Sequence, residues 1–456
     1  MLIDGLLLLN AASALRGGRL LFRETRNYAV WLFELMYAVL FVIRPLAISS
    51  FGLVTLDLVR FDVGHDALLI YLLCGLLFSV VFHWAVYSFY RRARLFTDRI
   101  LPLFNFDGVS TFRFALMVLL FLLLTYAVNA LKYHSLTYFA ENRDAFEAMM
   151  RLSGGHWYLE VLSGILIFPL VVLLSRHVNA KPAKLACLLI VVMVVFSVLA
   201  KPSTRAAMVS LLIAAATYSF SVGKIRLRIA TVAVALTLAL GLLLFLNYVR
   251  MGDVRAFREE ASLPSIVIGP FQSAVAADDA MILIDYLKHH PWLYFRYLVP
   301  SLTPLPLVPS TILPFKPRTD MESVLTYDIF GFDLDPAAFH EDSTLTYTVP
   351  VTGYANMGFI GVTVSALIYG FIFSAFLRSW KTKSITVRFI GVFYLVFLIG
   401  GLRLSAESAV TSFYWTVLVT WSMHFFCHFQ WFSGAVGDGR EPGRPALVRD
   451  RHTQTC

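Results

Sequence analysis

The sequence predicts an all-α protein that crosses a membrane many times. Three observations carry that prediction. Hydrophobic residues make up 58% of the 456-residue chain, and its mean hydropathy is +0.72, whereas a soluble domain is seldom more than about half apolar. The apolar residues come in blocks long enough for a helix to cross a bilayer, which takes roughly 20 residues. The loops between these blocks alternate between a basic kind and a kind with little positive charge. A membrane β-barrel would instead show short alternating segments, and these are absent from the sequence.

The candidate spans, in order, are residues 2–15, 28–50, 67–90, 111–131, 158–175, 185–200, 206–222, 229–247, 350–377, 389–402 and 410–431. That gives about 11 transmembrane helices. The first block is short for a span. It lacks a basic leader and a small-residue cleavage site, so it does not read as a signal peptide.

Alternate loops carry Arg16/Arg19/Arg23/Arg26, Arg91/Arg92/Arg94/Arg99, Arg176/Lys181/Lys184, Lys224/Arg226/Arg228, Arg378/Lys381/Lys383/Arg388 and Arg440/Arg444/Arg449/Arg451. By the positive-inside rule this set is cytoplasmic. The other set then faces outward. The net charge of +9 is accounted for by these loops, which argues against a nucleic-acid partner. Cys74, Cys187, Cys427 and Cys456 are scattered without metal-binding spacing.

The chain divides into N-terminal transmembrane helices (1–247), a large periplasmic loop (248–349), C-terminal transmembrane helices (350–431) and a polar, Gly/Pro/Arg-rich cytoplasmic tail (432–456) that reads as disordered. No internal repeat is evident, which counts modestly against secondary transporters. The long loop holds 13 Asp/Glu against 7 Lys/Arg. Its arginines are therefore not part of a general basic background.

The outward arginines Arg205, Arg250, Arg255, Arg258, Arg318 and Arg403 form the first candidate constellation. All but Arg318 lie near the end of an apolar block. Guanidinium grips phosphate oxygens with two parallel bonds and stays charged at any relevant pH. These positions suit an anionic headgroup at the bilayer surface. Snorkelling or local ion pairing explains an isolated arginine equally well, above all for Arg255 and Arg258 beside Glu259 and Glu260.

The run His340-Glu341-Asp342 precedes a hydroxyl-rich stretch and the next span. A carboxylate or imidazole here suits proton acceptance from a sugar hydroxyl. Capping of a helix N-terminus is the plain alternative. Gly353, Gly358 and Gly361 permit close helix packing, with Tyr354 and Asn356 on the same stretch. The segment from Pro291 to Pro309 is aromatic and proline-rich, which suits headgroup depth and excludes a regular helix between Pro300 and Pro309. Adjacent His289 and His290 do not make a metal pair. Asp333-Leu334-Asp335 has the Asp-x-Asp spacing, but no Walker or dinucleotide pattern is present, and neither a metal nor another cofactor is expected.

These pieces, in their order and on their side of the membrane, resemble the Wzy-type polysaccharide repeat-unit (O-antigen) polymerases, closest to the enterobacterial common antigen polymerase group. The resemblance covers roughly residues 55–430. It rests on Arg60-Phe61-Asp62-Val63-Gly64, Ser203-Thr204-Arg205-Ala206, Arg250-Met251-Gly252, Pro309-Ser310, Leu313-Pro314-Phe315-Lys316-Pro317, Ser343 to Gly353, and Arg403 with Glu407 and Ser412-Phe413. The chain departs from the pattern in its shorter first helix, around Lys316-Pro317-Arg318, and from His340 to Asp342.

The resemblance implies a GT-C-like membrane glycosyltransferase without a metal. Such an enzyme transfers a growing glycan from undecaprenyl pyrophosphate to the non-reducing end of a new undecaprenyl pyrophosphate-linked unit. It also implies a chain-length regulator protein as a partner, besides the lipid-linked donor and acceptor. On this reading Arg205, Arg250 and Arg403 hold pyrophosphate, with Arg255, Arg258, Arg318, Lys316 and Tyr354 in support. The proton acceptor is sought among Asp342, Glu341, Glu407 and His340. Two alternatives stay open. One is an O-antigen ligase-like transfer to lipid A core. The other is a transporter of the lipid-linked oligosaccharide, which would line its path with charges inside the helices; in the sequence these are mainly Glu34, Arg44 and Arg113.

Overall fold

A computed structural model of the chain describes residues 2–51, 64–92, 101–106, 202–222, 276–296, 298–303, 347–403 and 406–428. Among these every regular element is helical. In chain order they are α1 (Leu2–Thr25), α2 (Ala29–Ala38), a π turn (Val39–Ile43), α3 (Arg44–Phe51) and α4 (His65–Arg92). There follow α5 (Pro202–Ser221), α6 (Ala276–Tyr286), the single turn α7 (Leu298–Ser301), α8 (Val349–Leu377), α9 (Ile385–Gly400) and α10 (Ala406–His428). Among the described residues, three segments are long and apolar enough to cross a membrane: Ala29–Leu46, His65–Arg92 and Val349–Lys381, with Ile385–Gly400 a shorter apolar helix. The expected spans at 111–131, 158–175, 185–200 and 229–247 lie outside the described residues.

Between helices in lipid there is no water to expel, so close packing and internal hydrogen bonds must hold the bundle. Both are present. Phe33 of α2 stacks on Phe82 of α4 at 4.2 Å, and Phe373 of α8 meets both rings edge-on at 5.4 and 5.3 Å. Gly370 lets α8 close on α4, since a Cβ there would stand 2.8 Å from that of Ala85.

A polar seam joins α1, α2 and α4. Asn10 donates to Leu72 O at 3.1 Å and accepts from the Tyr37 hydroxyl. Ser13 and Ser79 share a bond of 2.8 Å, and His83 meets Glu34 at 2.7 Å. These pairs (10 with 72, 13 with 79, 24 with 91) set α1 alongside α4 in parallel register.

Among the described residues, the ends next to basic loops and those next to non-basic loops lie at opposite ends of the bundle. At one end Arg91 reaches Glu24, Tyr28 N–H donates to Ser221 Oγ, and Arg378 donates to Tyr90 O at 2.8 Å. At the other end Leu293 and Tyr294 meet Ala355 and Asn356, and Tyr414 donates to Leu302 O. This is the grouping the alternating loops predict.

Four expectations are revised. The first helix does not stop at residue 15 but runs to Thr25. Arg16, Arg19 and Arg23 therefore sit on a helix and not in a loop. The turn at Lys201 to Arg205 is in large part the start of α5, with Pro202 at the helix entry, where its missing N–H costs nothing.

The block at 350–377 is two helical limbs and not one. Met357 and Gly358 leave helical geometry, Gly358 with φ +60° and ψ −143°, a conformation suited to glycine. The limb 349–356 doubles back on the limb 359–377, so that Gly353 lies against the backbone of Gly361 and Val362.

Finally, the long polar loop contains a buried helix. Ala277, Asp278, Asp279, Ala280, Met281, Leu283 and Ile284 of α6 are all buried, and α6 packs on α4, α8 and the π turn.

Candidate functional site

The site lies at the loop end of the bundle, where α6, α8, α10 and the 291–303 segment meet. Its geometry starts from Pro45. Proline has no N–H to donate and its ring crowds the preceding turn. The helix widens into a π turn just before it, with Arg44 N–H bonding to Val39 O. This leaves Leu40 O without its helical donor, and the buried Tyr71 hydroxyl supplies one at 3.0 Å. A π turn of this kind often marks a functional position.

The same turn aims Arg44 out of α3 toward α6. There the guanidinium makes a two-pronged bond to Asp278, Nε to Oδ1 at 3.1 Å and Nη2 to Oδ2 at 2.5 Å. Asp278 is wholly buried and the Arg44 side chain is 16% exposed. Burial pushes the Asp278 carboxyl above its ordinary range, and the Arg44 guanidinium pulls it back down. Tyr71 has Asp278 and Thr348 among its polar neighbours. Thr348 and Tyr347, which close the long loop, are both buried.

The break in α8 forms the second part. A helix interrupted at Met357 leaves carbonyls without donors. The 291–296 segment fills that need: Leu293 N–H donates to Ala355 O at 2.9 Å and Tyr294 N–H to Asn356 O at 2.8 Å. Tyr294 and Phe295 take positive φ (46° and 59°) to make this turn, which costs backbone strain in residues with a Cβ. Trp292 then lies against Gly358 and meets the half-buried Tyr354 edge-on at 5.0 Å.

Asn356, fully buried at this break, donates to Thr352 O at 2.9 Å and to Glu407 Oε1 at 3.1 Å. Glu407, in the first turn of α10, is itself fully buried. An acid at that position is favoured by the helix dipole.

No family model, curated protein or solved structure matches the chain. The chemistry of the site is therefore argued from its own residues.

Of the residues expected from the sequence, Glu407 is joined to Asn356, and Tyr354, on the same helix as Asn356, meets Trp292. Arg205 lies in the first turn of α5 and Arg403 ends the turn Gly401–Arg403, four positions before Glu407; for both only the backbone is described. Arg250, Arg255, Arg258, Lys316, Arg318, His340, Glu341 and Asp342 lie outside the described residues. Among the described residues no cluster of His, Cys, Asp or Glu has the makings of a metal site. His290 stacks on Tyr286 at 3.7 Å.

Arg44, Asp278 and the helix break were missed as site features. Signals for them were there. Asp278-Asp279 interrupts an apolar run, and Arg44 stands before a proline inside an apolar block. Both patterns place charge where only a partner makes it tolerable.

Proposed function

We propose that the chain is a metal-independent membrane glycosyltransferase that lengthens a lipid-linked glycan at the loop end of the bundle. The observation that carries this reading is the buried Glu407, gripped by Asn356 at the break in α8 and placed one short turn after Arg403. A carboxylate held by a fixed donor near an arginine is the pair the reaction needs.

The acceptor sugar hydroxyl attacks the anomeric carbon of the donor glycan. The bond from that carbon to the pyrophosphate oxygen breaks, and undecaprenyl pyrophosphate leaves with the electron pair. The hydroxyl proton passes to the carboxylate, worth about 10²–10⁴-fold in rate. Charge developing on the leaving pyrophosphate is met by guanidinium groups, with Arg205, Arg250 and Arg403 in that role. A leaving group already activated needs no nucleotide. The resemblance to repeat-unit polymerases supports the same substrates and a site on the periplasmic face of the inner membrane.

The test is purified protein in detergent with a short prenyl pyrophosphate-linked repeat unit and EDTA. A ladder of longer glycans by mass spectrometry is expected. Lysine at 205, 250 or 403 should not restore it, because a point charge does not replace the two-pronged guanidinium. A ladder that needs added divalent metal, or one unchanged by all three lysine variants, overturns the mechanism.

One observation favours a second reading, transport of the lipid-linked unit. Transporters often build their sites on interrupted helices, and α8 is interrupted. Against it, the intramembrane charges Glu34 and Arg44 are engaged with His83 and Asp278 instead of lining an open path. Movement of the lipid-linked unit across vesicles without glycan growth would decide for transport.

A further inference from the structure

The arginines that the structure moves from a loop onto α1 make a pattern that topology alone does not require. Arg16, Arg19 and Arg23 recur at helical spacing and are exposed. With Ala12, Leu15 and Leu20 they line a groove of about 540 Å³ on the outer side of α1. Above them on the same helix Leu8 and Leu9 are 72% and 54% exposed, and a Cβ added at Gly5 would meet nothing within 4 Å. One half of this surface is apolar and the other half is basic.

Depth makes the pattern informative. Because α1 runs in register with α4, the contact of Glu24 with Arg91 marks the basic end of the bundle. Arg16 lies about 12 Å of helical rise above Glu24, beside the part of α4 that carries His83 and is apolar on either side. A cation facing lipid at that depth is costly, and such groups are found paired. Yet Arg16, Arg19 and Arg23 make no ion pair among the described residues. Snorkelling carries Arg19 and Arg23 to the headgroup layer and leaves Arg16 dependent on a counter-charge drawn down to it. The three guanidiniums span about 10 Å along the helix. That is more charge, over a longer run, than a single phosphate monoester fills.

We propose that this face of α1 is a binding site for an anionic phospholipid carrying two phosphate groups. The phosphates sit among Arg16, Arg19 and Arg23, and the acyl chains lie along Leu15, Ala12 and Leu8. By the positive-inside rule the lipid belongs to the cytoplasmic leaflet. The site is independent of the chemistry at the opposite end of the bundle.

The experiment uses full-length protein purified in detergent, with bound lipid counted by native mass spectrometry. Cardiolipin, phosphatidylglycerol and undecaprenyl pyrophosphate are titrated in turn. Cardiolipin is expected to be retained best. The Arg16→Gln/Arg19→Gln/Arg23→Gln variant should weaken its retention by roughly a hundredfold, on the basis of the attraction each basic side chain contributes at the membrane surface. A control variant, Arg26→Gln/Arg92→Gln, removes cations at the same end but outside the groove, and should retain cardiolipin as the parent does. Equal loss in the control makes the effect one of general charge and overturns the proposal. Equal binding of phosphatidylglycerol, or preference for undecaprenyl pyrophosphate, overturns the lipid assigned. Unchanged cardiolipin retention in the triple variant removes the site altogether.

Discussion

Breaking the Arg44–Asp278 pair should cost far more than replacing it. Two bonds, at 3.1 and 2.5 Å, join groups that are 16% and 0% exposed. Asp278→Ala leaves the guanidinium in a pocket built for a carboxylate, at a cost of about 3–5 kcal/mol. Arg44→Met/Asp278→Leu removes both charges at similar volume and should come out near neutral or more stable than either single variant. The assay is thermal denaturation of purified protein in detergent, followed by tryptophan fluorescence, as a double-mutant cycle.

Arg44→Met alone adds a pH signature. It removes the lowering influence and keeps the burial that raises the carboxyl. A carboxyl whose folded value lies above its unfolded value of about 3.9 contributes stability below that value and loses it as pH rises. The variant should therefore be worst relative to the parent at pH 8 and recover as pH falls toward the ordinary carboxylate range. If Asp278→Ala costs less than about 1 kcal/mol, or if the two single effects simply add, the pair is not the buried clasp described here.

Three further outcomes follow from the site and its supports. Glu407→Gln keeps an oxygen for Asn356 but loses the proposed proton acceptor, so glycan extension should fall by about 10²–10⁴-fold with the melting profile little changed; normal extension would exclude Glu407 as the base. Tyr71→Phe leaves Leu40 O in the π turn without its donor at 3.0 Å and should cost about 1–3 kcal/mol, read by the same melts. Gly361→Ala would drive a methyl into the carbonyl of Gly353 and should destabilise the fold by about 1–3 kcal/mol, a cost absent at Gly400, where a Cβ meets nothing within 4 Å.

The sequence makes the helical class plain, because it is written in local composition. Apolar blocks at 28–50, 67–90 and 389–402 reappear as helices within a few residues. Glu407, a candidate from its place at a span entry, lies buried in the first turn of α10. The doubling of α8 was not, because hydropathy is blind to direction: limbs 349–356 and 359–377 are both apolar, and their sum has the length of one ordinary span. Gly353, Gly358 and Gly361 were seen as packing residues. Their spacing holds no signal that the middle one reverses the chain while the outer two meet. α6 was hidden for a related reason. Its eleven residues sit within a loop of about a hundred residues, and only a partner such as Arg44, far off in sequence, makes burial of Asp278 affordable.

The described parts of the long loop are therefore tied into the membrane helices. Two kinds of bond tie them, and each is one that burial makes expensive to lose. Asp278 fixes the start of the described loop to α3 through a charge pair. Leu293 and Tyr294 fix its middle to the carbonyls that the turn at Gly358 releases. The helix break thus supplies the acceptors that the loop requires, and the loop supplies the donors that the break requires. Buried backbone groups at this break need such partners. Glu407 stands where this mutual arrangement ends, held by Asn356 whose own carbonyl the loop has taken. A carboxylate fixed in that way is oriented by the loop and the bundle together, so a change in the loop can reach it through backbone hydrogen bonds alone.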